Sequence, residues 1–324
     1  MTTYKEIFGK QIKQSSTDLT DSEREGQIWF NTAAGVFKTA LNVGAWSSGG
    51  NLGTAKYNLM SANSAPSTAA LAFGGGGPSA LSSTEEYGGT SWTAGGALPT
   101  GKFAGAGAGT QTAGLSFGGR PPSSGATTTE EYDGSSWTGG GAMPVAKTGL
   151  AGCGIQTAAL AFGGSPPTRN TTEEYDGSSW TAGGTLSVAF EDAAGAGTQT
   201  AGLKFGGRGA PTQTTEEYNG SSWTTSGLMN TGRGYLGGAG TQTSALGFGG
   251  KTLPSTYQTA TEEYDGSTWT TLSATMGTAI IQFGSSGATS SGALAFGGES
   301  AATATLAATE EYVKAITTKT LTSS

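Results

Sequence analysis

The chain runs to 324 residues with a net charge of −7; 58 residues are Gly, only 12% are charged, and seven Trp, ten Tyr and twelve Phe are spread along it. Its sixteen basic residues are scattered, so no phosphate-binding surface is offered and nucleic acid is excluded as a partner. With no His and one Cys, neither a histidine-based active site or metal centre nor an intrachain disulfide can form, and the aromatic content is too high for a disordered chain.

The opening "MTTYKEIFGKQIKQ" has no apolar stretch after its basic residues, and no later segment approaches twenty apolar residues, so neither a secretion signal nor membrane insertion is expected. The following "TDLTDSEREGQIWFNTAAGVFKTAL" has a charged, turn-rich lead and then reads as a hairpin, "QIWFN" and "VFKTAL" about a "TAAG" turn. Trp29, Phe30 and Phe37 are its packing or docking side chains. Residues 1–43 are therefore set apart as an anchor or docking segment, and 44–324 as a second domain.

That second domain is a repeat. Its tryptophans, Trp46, Trp92, Trp137, Trp180, Trp223 and Trp269, follow one another at steps of 46, 45, 43, 43 and 46 residues. An apolar run closing in Phe-Gly-Gly ends at Phe73, Phe117, Phe162, Phe205, Phe248 and Phe296, always 25 or 27 residues after a Trp. Next comes Glu-Glu-Tyr, at Tyr87, Tyr132, Tyr175, Tyr218, Tyr264 and Tyr312, and the first five tyrosines stand five residues before the next Trp.

Segments such as "AGAGAG" and "TAGLSF" about a "TQ" turn predict a hairpin of innermost strands, where crowding overrides the poor strand propensity of Gly and Ala. "TTTEEY", "DGSS" and "WT" predict a second hairpin, with Asp-Gly or Asn-Gly tolerating positive φ at the turn. Each unit then holds four strands. One such sheet cannot bury both faces alone, so the Tyr and Trp rings are expected to pack between neighbouring sheets.

An apolar strand closed by Gly-Gly, a loop, Tyr-Asp, a short turn and Trp, followed by Leu98-Pro99 or Met143-Pro144, resembles the kelch repeat of β-propellers. The resemblance spans roughly Gly44 to Tyr312 and recurs six times. It implies an all-β, six-bladed kelch-like β-propeller with four-stranded blades. The pattern begins at Trp46 and ends at Tyr312 with no Trp after it, so the ring would close by joining the N- and C-terminal strands in one blade.

In that topology the loops after Gly-Gly share a face with the blade-to-blade connections. These loops vary ("RPPSSGATTT", "SPPTRNTT", "KTLPSTYQTAT"), and variable loops on a rigid scaffold carry recognition. Arg120, Arg169, Arg208, Lys251 and Tyr257 are the candidate binding residues.

The six Glu-Glu pairs could form carboxylate rings for Ca²⁺, but adjacent strand residues point to opposite faces and do not converge on one ion. Lys56, Lys102, Lys147 and Arg233 stand ten residues after a Trp, with Phe190 and Ala279 as exceptions. The glutamates are thus expected to meet these bases or backbone amides, with no metal and no cofactor. Glu191, Asp192 and Glu299 are the acids outside the repeat pattern within the propeller, and no clear carboxylate pair for glycoside hydrolysis stands out. Catalysis is not expected. Cys153 replaces a small residue of equivalent strands and reads as a packed thiol.

The whole arrangement, a basic opening, "EGQIWFN…GVFK", "AW" and kelch-like repeats, resembles virion structural or tail-fibre proteins of marine tailed bacteriophages. That resemblance implies a virion location, other virion proteins as partners, and a host-surface glycan or protein as ligand. A tail-fibre or receptor-binding role predicts binding through the variable loops. A capsid decoration or spacer role predicts contacts through the constant faces and residues 1–43, and a glycan-degrading enzyme predicts a carboxylate pair in a cleft.

Overall fold

The computed structural model describes residues 4–7, 10–18, 27–121, 125–165, 170–209, 212–302 and 304–321. Among them every regular element is a β-strand, and no helix is long and apolar enough to cross a membrane. The chain divides into two compact units, one of Met1–Ala45 with Val313–Ser324 and the other of Trp46–Tyr312. The division differs from the expected boundary at the C-terminus, because Val313–Ser324 belongs with the N-terminal segment.

In the first unit the strands Tyr4–Ile7 and Lys10–Ser15 pair antiparallel, Lys10–Ser15 pairs parallel with Ile28–Asn31, and Ile28–Asn31 forms the expected hairpin with Val36–Thr39. Asp18 ties the two hairpin strands together. Its carboxylate accepts from Lys38 Nζ at 2.7 Å, Asn31 Nδ2 at 2.7 Å and Thr318 Oγ1 at 3.0 Å, and these donors, Lys38 first, hold its pKa below the usual value.

The second unit is built from repeated four-stranded antiparallel sheets. Sheet 1 comprises Met60–Ser61, Leu71–Phe73, Thr84–Tyr87 and Trp92–Gly95; sheet 2 comprises Ala106–Gly109, Gly114–Phe117, Thr129–Tyr132 and Trp137–Gly139. Sheet 3 follows with Ala151–Ile155, Ala158–Phe162, Thr172–Tyr175 and Trp180–Ala182, and sheet 4 with Ala194–Gly197, Gly202–Phe205, Thr215–Tyr218 and Trp223–Thr225. Sheet 5 holds Gly237–Thr241, Ser244–Phe248, Ala260–Tyr264 and Trp269–Thr275. In sheet 6, Gly284–Thr289 and Gly292–Phe296 are followed by the start of Thr309–Thr320, and its outer position is taken by the end of Val36–Ser48. The first strand of each sheet lies beside that of the next, and that of sheet 6 beside that of sheet 1.

Two side chains of each sheet, Trp and Tyr, reach the sheet before it. Each Trp indole donates to the Thr just before Glu-Glu-Tyr in the third strand of the preceding sheet: Trp92 to Thr309, Trp137 to Thr84, Trp180 to Thr129, Trp223 to Thr172, Trp269 to Thr215 and Trp46 to Thr261, all at 2.8–2.9 Å. The same ring packs against the preceding sheet's Phe, as Trp137 does edge-on to Phe73 with ring centres 4.8 Å apart. Five of the six tyrosines, Tyr87, Tyr132, Tyr175, Tyr218 and Tyr264, donate the hydroxyl to the second Glu of the preceding sheet, as Tyr132 does to Glu86 at 2.5 Å and Tyr175 to Glu131 at 2.6 Å, whereas the buried Tyr312 hydroxyl has no such bond. Burial and that carboxylate push the Tyr132 and Tyr175 phenols up to about 12.

Crowding does select Gly in the first strands, and its source is the preceding sheet. A Cβ on Gly107 would lie 2.3 Å from Ser61 O and 2.6 Å from Phe73 Cζ; on Gly152 it would lie 2.5 Å from Phe117 Cζ. The outer hairpin turn differs in detail from the expectation. Only its Gly takes positive φ, 92° at Gly134 and Gly177, whereas the Asp acts through its side chain. Asp133 Oδ1 accepts from the amides of Ser136 at 2.7 Å and Ser135 at 2.8 Å, and from the Ser135 hydroxyl, which hold its pKa at about 2.

The first Glu of each pair faces the other way. Lys56 meets Glu85 at 2.8 Å, Lys102 meets Glu130 at 2.5 Å, Lys147 meets Glu173 at 2.5 Å and Arg233 meets Glu262 at 2.9 Å, all buried, as the ten-residue spacing predicted. Sheet 4 solves the problem differently. Phe190 stands where the cation would, and Lys204 from the second strand lies buried over its ring at 4.5 Å, donating to Thr214 Oγ1 at 2.6 Å. Glu216 there accepts from the amide and hydroxyl of Ser187, both at 2.8 Å. In sheet 6, where Ala279 stands, Glu310 takes the amides of Gly277 and Thr278 instead.

Candidate functional site

The connections that enter the first strands and the segments that leave Gly-Gly lie at one end of the sheets. They bridge there: Phe103 with Arg120, Thr148 with Ser165, Glu191 with Arg208 and Gly234 with Lys251. The opposite end carries the constant turns, and Gln111 shows how tightly they are tied. Its amide donates to Ala70 O at 3.1 Å and Tyr87 O at 2.7 Å of the preceding sheet, and Gln156, Gln199 and Gln242 repeat the contact.

At the variable end, one residue per sheet turns the chain into its first strand: Asn58, Ala104, Gly149, Asp192, Tyr235 and Gln282. All six have positive φ, 61° at Gly149 and 49–58° at the others. Glycine suits this conformation; a non-glycine residue held in it costs on the order of 1 kcal/mol. Backbone bonds join them in succession. The Ala104 amide donates to Asn58 O at 2.9 Å, Gly149 to Ala104 O, Asp192 to Gly149 O and Tyr235 to Asp192 O at 2.8 Å each, and Asn58 to Gln282 O at 2.6 Å.

These six residues form the mouth of a cavity of about 110 Å³. Below them Leu59, Gly105, Leu150, Ala193, Leu236 and Phe283 form a waist shared with an inner cavity of about 120 Å³. The inner cavity reaches Asn63, whose amide donates to Gly152 O at 2.5 Å. Asn63 belongs to the connection Ala62–Ala70 of sheet 1, longer than the turns at the same place in sheets 2 to 5.

Arg208, Lys251 and Tyr257 come together beside this mouth. The Arg208 guanidinium lies 5.1 Å from the Tyr235 ring centre, Lys251 Nζ lies 5.0 Å from the same centre, and Lys251 is 5.9 Å from the Tyr257 ring. Arg208 also pairs with Asp192 at 3.2 Å and Glu191 at 3.4 Å. Burial pushes the Asp192 carboxyl up to about 6 against the pull of Arg208, and the neighbouring Glu191 charge adds to the rise. Tyr235 is raised to about 12 by its burial and by Asp192.

The other candidates fare differently. Arg120 is exposed and bonded through its backbone to Phe103, apart from this cluster, and Arg169 lies outside the described residues. Trp29 is fully buried and has no ring surface left for a partner, whereas Phe30 and Phe37 are half-buried and meet edge to face with ring centres 5.1 Å apart. Cys153 is buried, and that burial pushes its thiol up to about 12, far from the thiolate a nucleophile needs. Sequence reasoning missed Asn58, Tyr235 and Gln282. Their signal is a site twelve or thirteen residues after each Trp where the repeat fails to repeat.

No protein-family model matches the chain, and no curated protein matches it.

Proposed function

We propose that Trp46–Tyr312 is a six-bladed kelch-type β-propeller, closed by the pairing of its first and last strands, and that the protein is a non-enzymatic phage virion component of tail-fibre or receptor-binding type. The cyclic succession of Trp–Thr bonds supports the propeller. The function is carried by one observation: non-repeated Arg208, Tyr235, Lys251 and Tyr257 gather at the end whose loops vary, while the opposite end repeats. Rigid scaffolds place recognition at such loops. The virion reading itself rests on the sequence resemblance, with the N-terminal segment as the docking part and a host-surface glycan or protein as the ligand.

Immunogold labelling of intact particles tests the location. Signal at the tail is expected, signal over the capsid shell would replace this reading with a decoration role, and absence from particles would end both. Adhesion of the full chain to host cells, compared with an Arg208→Ala, Lys251→Ala, Tyr257→Ala variant, tests the face. Undiminished adhesion by the variant would remove the variable end as the binding surface.

A further inference from the structure

We infer that the mouth formed by Asn58, Asp192, Tyr235 and Gln282 binds the terminal sugar of a neutral glycan. The inference deepens the recognition reading and rests on it. Its starting point is what the left-handed position carries: sheet 3 has glycine there, which any sheet could use, yet four sheets hold a hydrogen-bonding side chain, each at φ of 49–58°. Ala104 keeps the same conformation with only a methyl group, so the strain belongs to the turn, and what marks the opening is that four of its six positions carry hydrogen-bonding side chains.

Their chemistry selects the ligand class. The carboxamides of Asn58 and Gln282 each donate and accept, the Asp192 carboxylate accepts when ionised, and the Tyr235 hydroxyl does both, which matches vicinal sugar hydroxyls. Charge is balanced beside the mouth, with Arg208 and Lys251 against Glu191 and Asp192, so a free ion of either sign gains little. Beneath the rim the lining of Leu59, Leu150, Leu236 and Phe283 carries no charged side chain, and a few convergent polar groups over such a lining are what fix the orientation of a small molecule.

Calorimetric titration and ligand-observed NMR of the full chain with neutral hexoses, N-acetylhexosamines and hexuronic acids test this. Saturable binding of a neutral sugar is expected. The Asn58→Gly, Gln282→Gly double variant is expected to weaken it about tenfold, as the loss of two neutral hydrogen bonds would, with a melting temperature equal to or above that of the parent. Tyr235→Phe, which keeps the ring beside Arg208 and Lys251, is expected to weaken binding by a smaller factor. Binding confined to hexuronic acids, binding unchanged in these variants, or a lowered melting temperature in the glycine double variant would overturn the inference. If no sugar binds while host cells are still bound, the sugar inference alone falls; if neither binds, the recognition reading falls with it.

Discussion

At the constant end of the sheets a Gln of one sheet reaches the same two carbonyls of the sheet before it in four successive cases, and every turn from Tyr to Trp is held by an Asp, an Asn or a Gly-Gly pair. At the variable end, six equivalent positions carry Asn, Ala, Gly, Asp, Tyr and Gln, and the charged groups behind them come from only two sheets. The difference shows which part of each unit answers to its neighbour and which does not. Trp, Thr, Phe, Tyr and Glu must fit the next copy of themselves, so a change in one sheet is felt in another. Side chains at the mouth have no repeated partner in the next sheet, so they are free to differ.

If that contrast is right, substitutions should separate by end. Trp180→Ala removes a buried ring that packs against Phe117 and bonds Thr129, and is expected to cost about 3–5 kcal/mol in chemical denaturation. A cost below about 1 kcal/mol would break the claim that the rings join the sheets. Lys204→Ala is expected to cost about 2–4 kcal/mol, because it strips the buried cation from Phe190 and leaves Glu216 without a nearby positive charge. Adding Phe190→Lys restores the arrangement of sheet 3, and the double variant should recover at least half of the loss. Failure to recover would mean that sheet 4 is packed around Phe190 and not around the charge. Gln282→Gly at the mouth is expected to move stability by no more than about 1 kcal/mol, the smallest of these effects, and in the stabilising direction if relief of strain outweighs chain entropy.

Acid sharpens the comparison, because the two ends respond with opposite sign. Asp133, Asp176 and Asp265 at the constant turns are held at about 2, below the ordinary 3.8, so their contribution is present above that value and is lost as pH falls towards 2. Asp192 at the mouth is raised to about 6, so what it contributes is present below 3.8 and is lost as pH rises through 6. Melting temperatures of Asp192→Asn and the parent, measured across pH, should therefore differ increasingly from pH 3.8 to 6, with the variant losing less. Parallel profiles would show that burial, with the neighbouring Glu191 charge, does not raise the carboxyl as described.

The strands were legible because their landmarks recur at fixed spacing, and so was the pairing of Lys102 with Glu130, since spacing along a repeated unit is also spacing in space. The exchange in sheet 4 was not, because the substitute cation Lys204 arrives from a different strand and only packing shows that it meets Phe190. The glutamines of the "TQT" turns read as turn residues, although their amides act between sheets.

By itself, then, the sequence determined what local geometry and repetition can carry: all-β character, four strands to a unit, the rings between sheets, and the absence of any histidine chemistry. Tertiary structure alone decided which non-repeated side chains share a site. Asn58, Asp192, Tyr235 and Gln282 lie far apart along the chain and meet only because first strands from successive sheets line one cavity. No periodicity in one dimension encodes a meeting made by side-by-side packing, and that is why the mouth appears only in the folded protein.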